Sequence, residues 1–483
     1  MQMFPRLIFP ALQIAMLLLT IASVHAMDQD PVQIEKSSYL DYALRTERWL
    51  REQTVKTEAG KIWRSEDEKD DHPVTNSNLY YGSAGIILFY LELYQQTGDK
   101  AFLREAEEGA EYLIAAIPEE LYIKKDLNFL EIFPSLNLPE GFGMKVQTAA
   151  NGLGHPNQAS LYWGVSGIGF TLGEVYRVTG DKAYLDAAWR VVDLLLRDHH
   201  RDEHGATWGS APEVMLGDAG VGLFLLYAAD ELGHPKAKKL AQAVGDSLLA
   251  RAKPDQAGLM WPTGRIYSTD HPNFSHGSSG VGYFLATLYE DTGEERYLDG
   301  ARKVGTYLVS IAHDDGLIAH HLPDNDGLIY YSWCNGPAGT NRLFEKLSSD
   351  SPSKQWSSMI ERSDHATMDA ELFSRKQPGF WANVGQCCGS AGVADYFLNQ
   401  YAKTGNPQYL VFAETATVDI VDHATLEGDT LSWTHAEHRV AKDYKLTQTG
   451  YMQGAAGIGM HFLRMHAVVN EKALSIRLLD DRW

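Results

Sequence analysis

The chain has 483 residues, 44% of them hydrophobic, and a formal net charge of −21 at pH 7. That composition is globular, and its acidity excludes a nucleic-acid binder, which needs basic patches against phosphate. Its three cysteines are an odd number, which a disulfide framework would not use.

Residues 1–26 carry Arg6, an apolar run through Leu17-Leu18-Leu19, and Val24-His25-Ala26 ahead of the polar Met27-Asp28-Gln29-Asp30. This reads as a secretory signal peptide cleaved after Ala26, leaving one mature domain, 27–483, that is secreted or periplasmic. A retained anchor is the alternative, but the run is short and interrupted by Pro10. No other stretch is long enough to span a bilayer, so no membrane span is expected in the mature chain.

Gly-x-x-Gly then recurs seven times, at Gly82-Gly85, Gly164-Gly167, Gly217-Gly220, Gly277-Gly280, Gly336-Gly339, Gly389-Gly392 and Gly454-Gly457. Almost every copy opens an apolar stretch. A further glycine follows at a constant interval in Gly85/Gly98, Gly167/Gly180, Gly220/Gly233, Gly280/Gly293 and Gly392/Gly405. Asn470 takes that place in the seventh copy, as the usual substitute in a left-handed C-cap. The fifth copy, running into Pro352, blurs the pattern. The interval predicts an inner helix of about three and a half turns, roughly 20 Å long.

After the stop, Thr97-Gly98-Asp99, Thr179-Gly180-Asp181, Thr292-Gly293 and Thr404-Gly405 each launch an amphipathic stretch. These predict outer helices with one solvated face. A single such hairpin cannot bury its apolar face, so seven must stack, and closing the ring removes both exposed ends. The expectation is an all-α fold, an α/α toroid of seven helical hairpins. Gly60-Lys61-Ile62-Trp63, Gly205-Ala206-Thr207-Trp208, Gly258-Leu259-Met260-Trp261 and Thr430-Leu431-Ser432-Trp433 read as short β segments lining its mouth. Stretches at about 121–158 and 345–380 read as insertions that could form a lid.

The cysteines fall in register with the repeat. Cys334 and Cys387 each stand two residues before the first glycine of their copies, where the other copies have Tyr80, Tyr162, Met215, Ser275 and Met452. One residue later come Tyr81, Trp163, Leu216, His276, Asn335, Cys388 and Gln453. Stacking crowds these positions at the N-terminal ends of the inner helices, which favour thiolates. Cys334, Cys387 and Cys388, with one open position, suit a tetrahedral zinc site of the catalytic kind. His276 faces the same mouth. A vicinal Cys387–Cys388 disulfide and plain apolar packing are the alternatives.

With those motifs the chain resembles the lanthionine synthetase C-like family, over nearly the whole mature length. Trp333-Cys334-Asn335-Gly336 is similar to the family's Trp-Cys-x-Gly motif. Cys387-Cys388-Gly389 is similar to its Cys-His-Gly motif with Cys388 in place of histidine, and Ser275-His276-Gly277 to its His-Gly motif. The resemblance implies a seven-hairpin toroid and zinc held by Cys334, Cys387 and Cys388, with His276 as acid/base. It also implies thiol addition to dehydroalanine or dehydrobutyrine, with a peptide or small thiol as substrate. The chain departs from the pattern at three places. Ser160 stands where the cyclases carry an aspartate, Tyr330 where they tend to have an arginine, and Asn335 where they have a tyrosine.

Other groups admit other functions. His320, His321, His435 and His438 are expected mainly as solvated loop histidines, and Asp218 as a helix N-terminal dipole partner. Tyr80, Tyr81, Tyr162, Trp163, Trp208 and Trp261 would suit sugar stacking. A carbohydrate-active toroid enzyme, a glycoside hydrolase or an epimerase acting on a glycan, is therefore a second reading. A glycosidase would need two carboxyls about 5–9 Å apart, for which Glu213, Asp218 and Asp324 are the candidates. A third reading is a non-catalytic zinc-bearing scaffold that binds a peptide or glycan.

Overall fold

The structure, a computed structural model, describes residues 38–65, 77–121, 158–376, 383–436 and 445–481, apart from 202, 256 and 268. The segment expected to be a signal peptide, nearly all of the stretch at 121–158 and His438 lie outside the described residues.

Among the described residues, fourteen long helices alternate between two rings. They are α1 (Ser38–Glu52), α2 (Ser83–Thr97), α3 (Lys100–Ala116), α4 (Val165–Thr179), α5 (Lys182–Asp198), α6 (Asp218–Asp230) and α7 (Ala237–Arg251). The second half comprises α8 (Ser278–Thr292), α9 (Glu295–Ile311), α10 (Pro337–Asp350), α11 (Lys354–Asp369), α12 (Ser390–Thr404), α13 (Pro407–Asp422) and α14 (Ala455–Val469). Every even-numbered helix starts directly after the first glycine of a Gly-x-x-Gly and belongs to the inner ring. The odd-numbered helices form the outer ring. α2 buries every residue from Ser83 to Leu93, as a helix covered on all sides must. α5 buries only a stripe, from Tyr184 through Ala188 and Val192 to Leu195. Each inner helix packs on the next and α14 packs on α2, while α1 pairs with α14. The toroid is closed.

Closure is drawn most tightly in the turns that precede the inner helices. Tyr80 N–H donates to the Tyr162 carbonyl (3.0 Å), Tyr162 to Met215 (3.2 Å), Met215 to Ser275 (3.2 Å) and Ser275 to Cys334 (2.9 Å). Cys334 donates to Cys387 (3.1 Å), Cys387 to Met452 (2.8 Å), and Met452 back to Tyr80 (3.0 Å). Seven equivalent residues thus form one circuit of backbone hydrogen bonds. The second glycine of each motif makes room for the turn that carries it. A Cβ on Gly85 would lie 2.5 Å from the Leu79 carbonyl oxygen, six residues earlier. The other six copies repeat that clash more closely, as Gly339 does against Trp333. No side chain fits there.

The Thr-Gly-Asp pattern caps two helices at once. Thr97 Oγ1 donates to Leu93 O at the end of α2 and accepts Asp99 N–H, while Asp99 accepts Ala101 N–H at 2.8 Å to start α3. Gly98, Gly180, Gly293 and Gly405 all have φ between 69° and 74°. Asn470 does not behave as expected: its φ is −106°, and Glu471 takes the left-handed turn at φ 56°. The Asn470 amide itself donates to the His466 carbonyl at 2.7 Å, so the chain reverses one residue later.

Two further expectations need correction. The stretch at 345–380 is no insertion for most of its length. Residues 345–350 finish α10, Ser353 caps α11, and α11 is the missing fifth outer helix. Pro352 ends one helix and separates it from the next. The Gly-aromatic segments do form two-stranded hairpins: β1–β2 (Thr54–Thr57, Gly60–Trp63), β3–β4 (His200–Arg201, Ala206–Thr207), β5–β6 (Lys253–Pro254, Leu259–Met260) and β7–β8 (Thr425–Glu427, Thr430–Ser432). A further pair, β9–β10, joins Thr434–Ala436 to Lys445–Thr447. Their tryptophans, Trp63, Trp208, Trp261 and Trp433, are buried beneath the surface and do not line the mouth. The hairpin glycines Gly60, Gly205 and Gly258 press on the backbones of α3, α7 and α9. The hairpins therefore clamp neighbouring outer helices together.

Asp364 of α11 sits in a buried network, accepting from Tyr396 Oη at 2.6 Å and from Asn341 Nδ2 at 3.3 Å. Burial pushes its carboxyl up to about 7, more than those hydrogen bonds pull it down. A raised folded value means the carboxyl favours folding when protonated and loses that contribution as pH rises from about 4 through 7. Asp364→Asn should remove this loss and stabilise the protein at pH 8 by about 1–3 kcal/mol, with little change at pH 4. Denaturant unfolding at the two pH values measures it. In the same assay Gly405→Ala should cost about 1–2 kcal/mol for its left-handed φ. Gly339→Ala, blocked by backbone, should be far worse.

Candidate metal centre

The hydrogen-bonded circuit makes Cys334 and Cys387 consecutive members, so two thiols distant in sequence hang from neighbouring turns. Cys388 follows directly and turns its sulfur toward both. Cys334 Sγ lies 3.3 Å from Cys388 Sγ, which lies 3.5 Å from Cys387 Sγ, and all three sulfurs fall within 4.8 Å of one another. Cys334 and Cys387 are buried and Cys388 is partly exposed, so the cluster is reached from solvent through Cys388. All three are free thiols in this structure.

Burial works against ionisation at Cys334. Hydrogen bonds from Cys387, Cys388 and Ser332, helped by the charge of His276, outweigh it and hold this thiol well below its usual range. Cys387 goes the other way, pushed up by burial and by its hydrogen bonds with the other two thiols. Three sulfurs this close cannot all carry charge without a cation between them. A tetrahedral zinc with sulfurs at about 2.3 Å separates them by about 3.8 Å, which these side chains reach by opening a few tenths of an ångström. The donor set fits a thiophilic metal ion.

Around the thiols the mouth is polar on one arc and aromatic on the other. Gln453 accepts from Asn383 Nδ2 (2.9 Å) and donates through Nε2 to Tyr80 Oη (3.1 Å) and Cys388 Sγ (3.6 Å). Tyr80, Tyr81 and Trp163 pack edge-on or tilted against one another with ring centroids 4.5–5.6 Å apart. His276 Nδ1 lies 4.0 Å from Glu213 Oε1. Glu213 is fully buried, and its carboxylate accepts the amides of Met215 (2.5 Å) and Leu216 (3.1 Å), which fixes its direction.

Histidines the sequence left as solvated loops are mostly not so. His320 and His321 face each other with Nδ1 atoms 3.1 Å apart, and His320 stacks on Tyr330 at 4.4 Å. His271, which sequence reasoning missed, sits between them and His276, with ring centroids 5.0 Å from His320 and 6.1 Å from His276. Burial, with the charges of His276 and His321, pushes His271 down to about 3. His435 is buried too and pushed down to about 4. Nothing near these residues in sequence marked them, because helices from different copies bring them together.

The glycosidase candidates do not assemble. Asp218 is buried and saturated by Thr207, Trp208 N–H and Arg251, and Asp324 pairs with His313 at 3.1 Å. Tyr162 points away from the mouth to Asp480, and Trp208 and Trp261 lie under the hairpins. Thr417, His461 and Asp395 are linked as in a hydrolytic triad, at 2.8 and 2.6 Å. All three are buried, so no substrate reaches them.

A model of the "Lanthionine synthetase C-like protein" family matches residues 73–131 and 160–478. The chain belongs to this family. Among solved structures it is similar to nisin cyclase, at 15% identity over 90% of this chain and 100% of that one, with a TM-score of 0.55. It is also similar to cellobiose 2-epimerase from Spirochaeta thermophila, at 14% identity over 96% and 99% of the chains, with a TM-score of 0.48. The likeness to nisin cyclase shows the shared fold alone. No curated protein matches in sequence. No helix among the described residues is long and apolar enough to cross a membrane.

The geometry predicts an order of thiol reactivity in the metal-free protein. Iodoacetamide followed by peptide mapping should label Cys388 first and Cys387 last. Equal labelling of all three would contradict the packing described.

Proposed function

We propose that this lanthionine synthetase C-like protein is exported and holds zinc through Cys334, Cys387 and Cys388. Its reaction is the addition of a peptide or small thiol to a dehydroamino acid. The convergence of three free thiols at adjacent mouth positions, with His276 in the turn before the neighbouring inner helix, carries this reading.

Bound zinc would supply a thiol that ionises near neutral pH. His276, its Nδ1 held toward Glu213, exchanges a proton at Nε2 with the reacting groups. The addition balances without a co-reactant: the sulfur bonds to the β-carbon, the double bond becomes single, and the thiol proton ends on the α-carbon. Tyr80, Tyr81 and Trp163 give apolar substrate groups a wall to rest on. A third cysteine in place of histidine adds a negative charge, which favours nucleophilicity of the thiol over electrophilic activation. Ser160, Tyr330 and Asn335 leave out the aspartate, arginine and tyrosine of the cyclase pattern, so the burden of proton transfer falls on His276.

Mature protein purified from an exported source should begin at Met27 and contain about one zinc per chain, lost in Cys334→Ala. A peptide with one cysteine and one dehydroalanine should lose its free thiol at constant mass. His276→Ala, still folded and zinc-loaded, should slow this by about 10²–10⁴-fold. Metal-free wild type with Cys387 and Cys388 oxidised to each other would refute the reading.

A further inference from the structure

Beyond α14 the chain turns back into the ring. Ala473 O accepts from Gln96 near the base of α2, and the amides of Ser475 (3.1 Å) and Ile476 (2.8 Å) donate to Glu92, one turn nearer the mouth. Asp481 then meets Arg464 of α14 at 2.8 Å, Asn399 of α12 at 3.2 Å and Arg342 of α10 at 3.3 Å. Asp480 Oδ2 accepts Trp333 Nε1 at 2.6 Å and its Oδ1 accepts Tyr162 Oη at 3.0 Å. The tail therefore runs among the inner helices from the end of α2 to side chains of the turns that precede α4 and α10, and Asp480 and Asp481 are 1% and 3% exposed.

Trp333 directly precedes Cys334, and Tyr162 is itself a member of the backbone circuit. The two belong to the fifth and second copies, which are three steps apart on a ring of seven. Hydrogen bonds between adjacent turns do not set the distance across the ring; the packed Tyr162 and Trp333 rings, with centroids 5.1 Å apart, and Asp480, which holds both side chains with one carboxylate, do. Burying two carboxylates on a tail is unfavourable unless each is paired and hydrogen-bonded, and here both are.

We propose that the C-terminal segment is an axial brace and that Asp480 is a positioning residue, which holds the Cys334 turn from beneath at the spacing the thiol cluster needs. The inference deepens the metal reading, on which its purpose rests, but its geometry exists without metal. Groups that orient ligands typically change metal affinity by about 10–100-fold when removed. The same looseness should appear in the bare thiols.

The test compares wild type with Asp480→Asn, using metal-free protein for alkylation and zinc-loaded protein for retention against a chelator. In Asp480→Asn, Cys334 should alkylate about tenfold faster relative to Cys388, zinc should leave at least about tenfold faster, and Asp480→Glu should restore part of both. A general loosening would instead raise all three thiols together. A folded Asp480→Asn protein with an unchanged Cys334-to-Cys388 ratio would overturn the proposal. If that variant fails to fold, Trp333→Phe removes the same hydrogen bond while keeping a ring, and an unchanged ratio there overturns it equally. Wild type that takes up no zinc would refute the metal reading, while the alkylation ratio would still decide the role of Asp480.

Discussion

Seven backbone hydrogen bonds, passed from turn to turn until Met452 donates back to Tyr80, are the constraint on which the rest of this molecule depends. Each linked residue has its N–H and its C=O satisfied by different neighbours, so a buried loop region carries no unpaired backbone at these positions. The circuit has no edge. It fixes the spacing of seven equivalent side chains, and it tolerates no extra atom at the second glycine of each motif. Cys334 and Cys387 are two of those seven. The thiol cluster thus starts from a register set by the backbone, before any metal is considered.

Much of this was legible because the repeat is written in residues with few conformational alternatives. The inner helices followed from glycines at a fixed interval, and the outer ones from Thr-Gly-Asp, where one residue ends a helix and another starts the next. The failures share one cause: they depend on contacts between copies. α11 was hidden by Pro352 and read as part of an insertion. The hairpin tryptophans were placed at the mouth, yet Trp261 donates through Nε1 to Leu248 O and is buried against its own outer helix. His271 and His320 meet only because two turns of the ring come together. The tail carboxylates Asp480 and Asp481 carried no sequence signal, and both are buried in the axis.

Charge burial ties the chemistry to the frame. Arg464 sits between Asp395 and Asp481, and Arg342 beside Asp480 and Asp481, so the ring interior holds cations matched by anions from its own tail. Near the mouth the matching is incomplete by design of the residues present: three thiols, one of them driven toward thiolate, face a histidine and a fully buried glutamate. Glu213 stands four residues before the first glycine of the third copy, whereas Ser160 holds that place in the second. A carboxylate still stands beside His276, supplied by a different turn. In the proposed reaction this carboxylate orients His276 in place of the absent cyclase aspartate.

The account stands or falls on the metal environment, and X-ray absorption at the zinc edge on the loaded protein tests it most directly. It predicts a first shell of three sulfurs at about 2.3 Å with one lighter atom completing the tetrahedron. A shell of nitrogen and oxygen without sulfur would contradict it, because no thiolate could then be holding the ion.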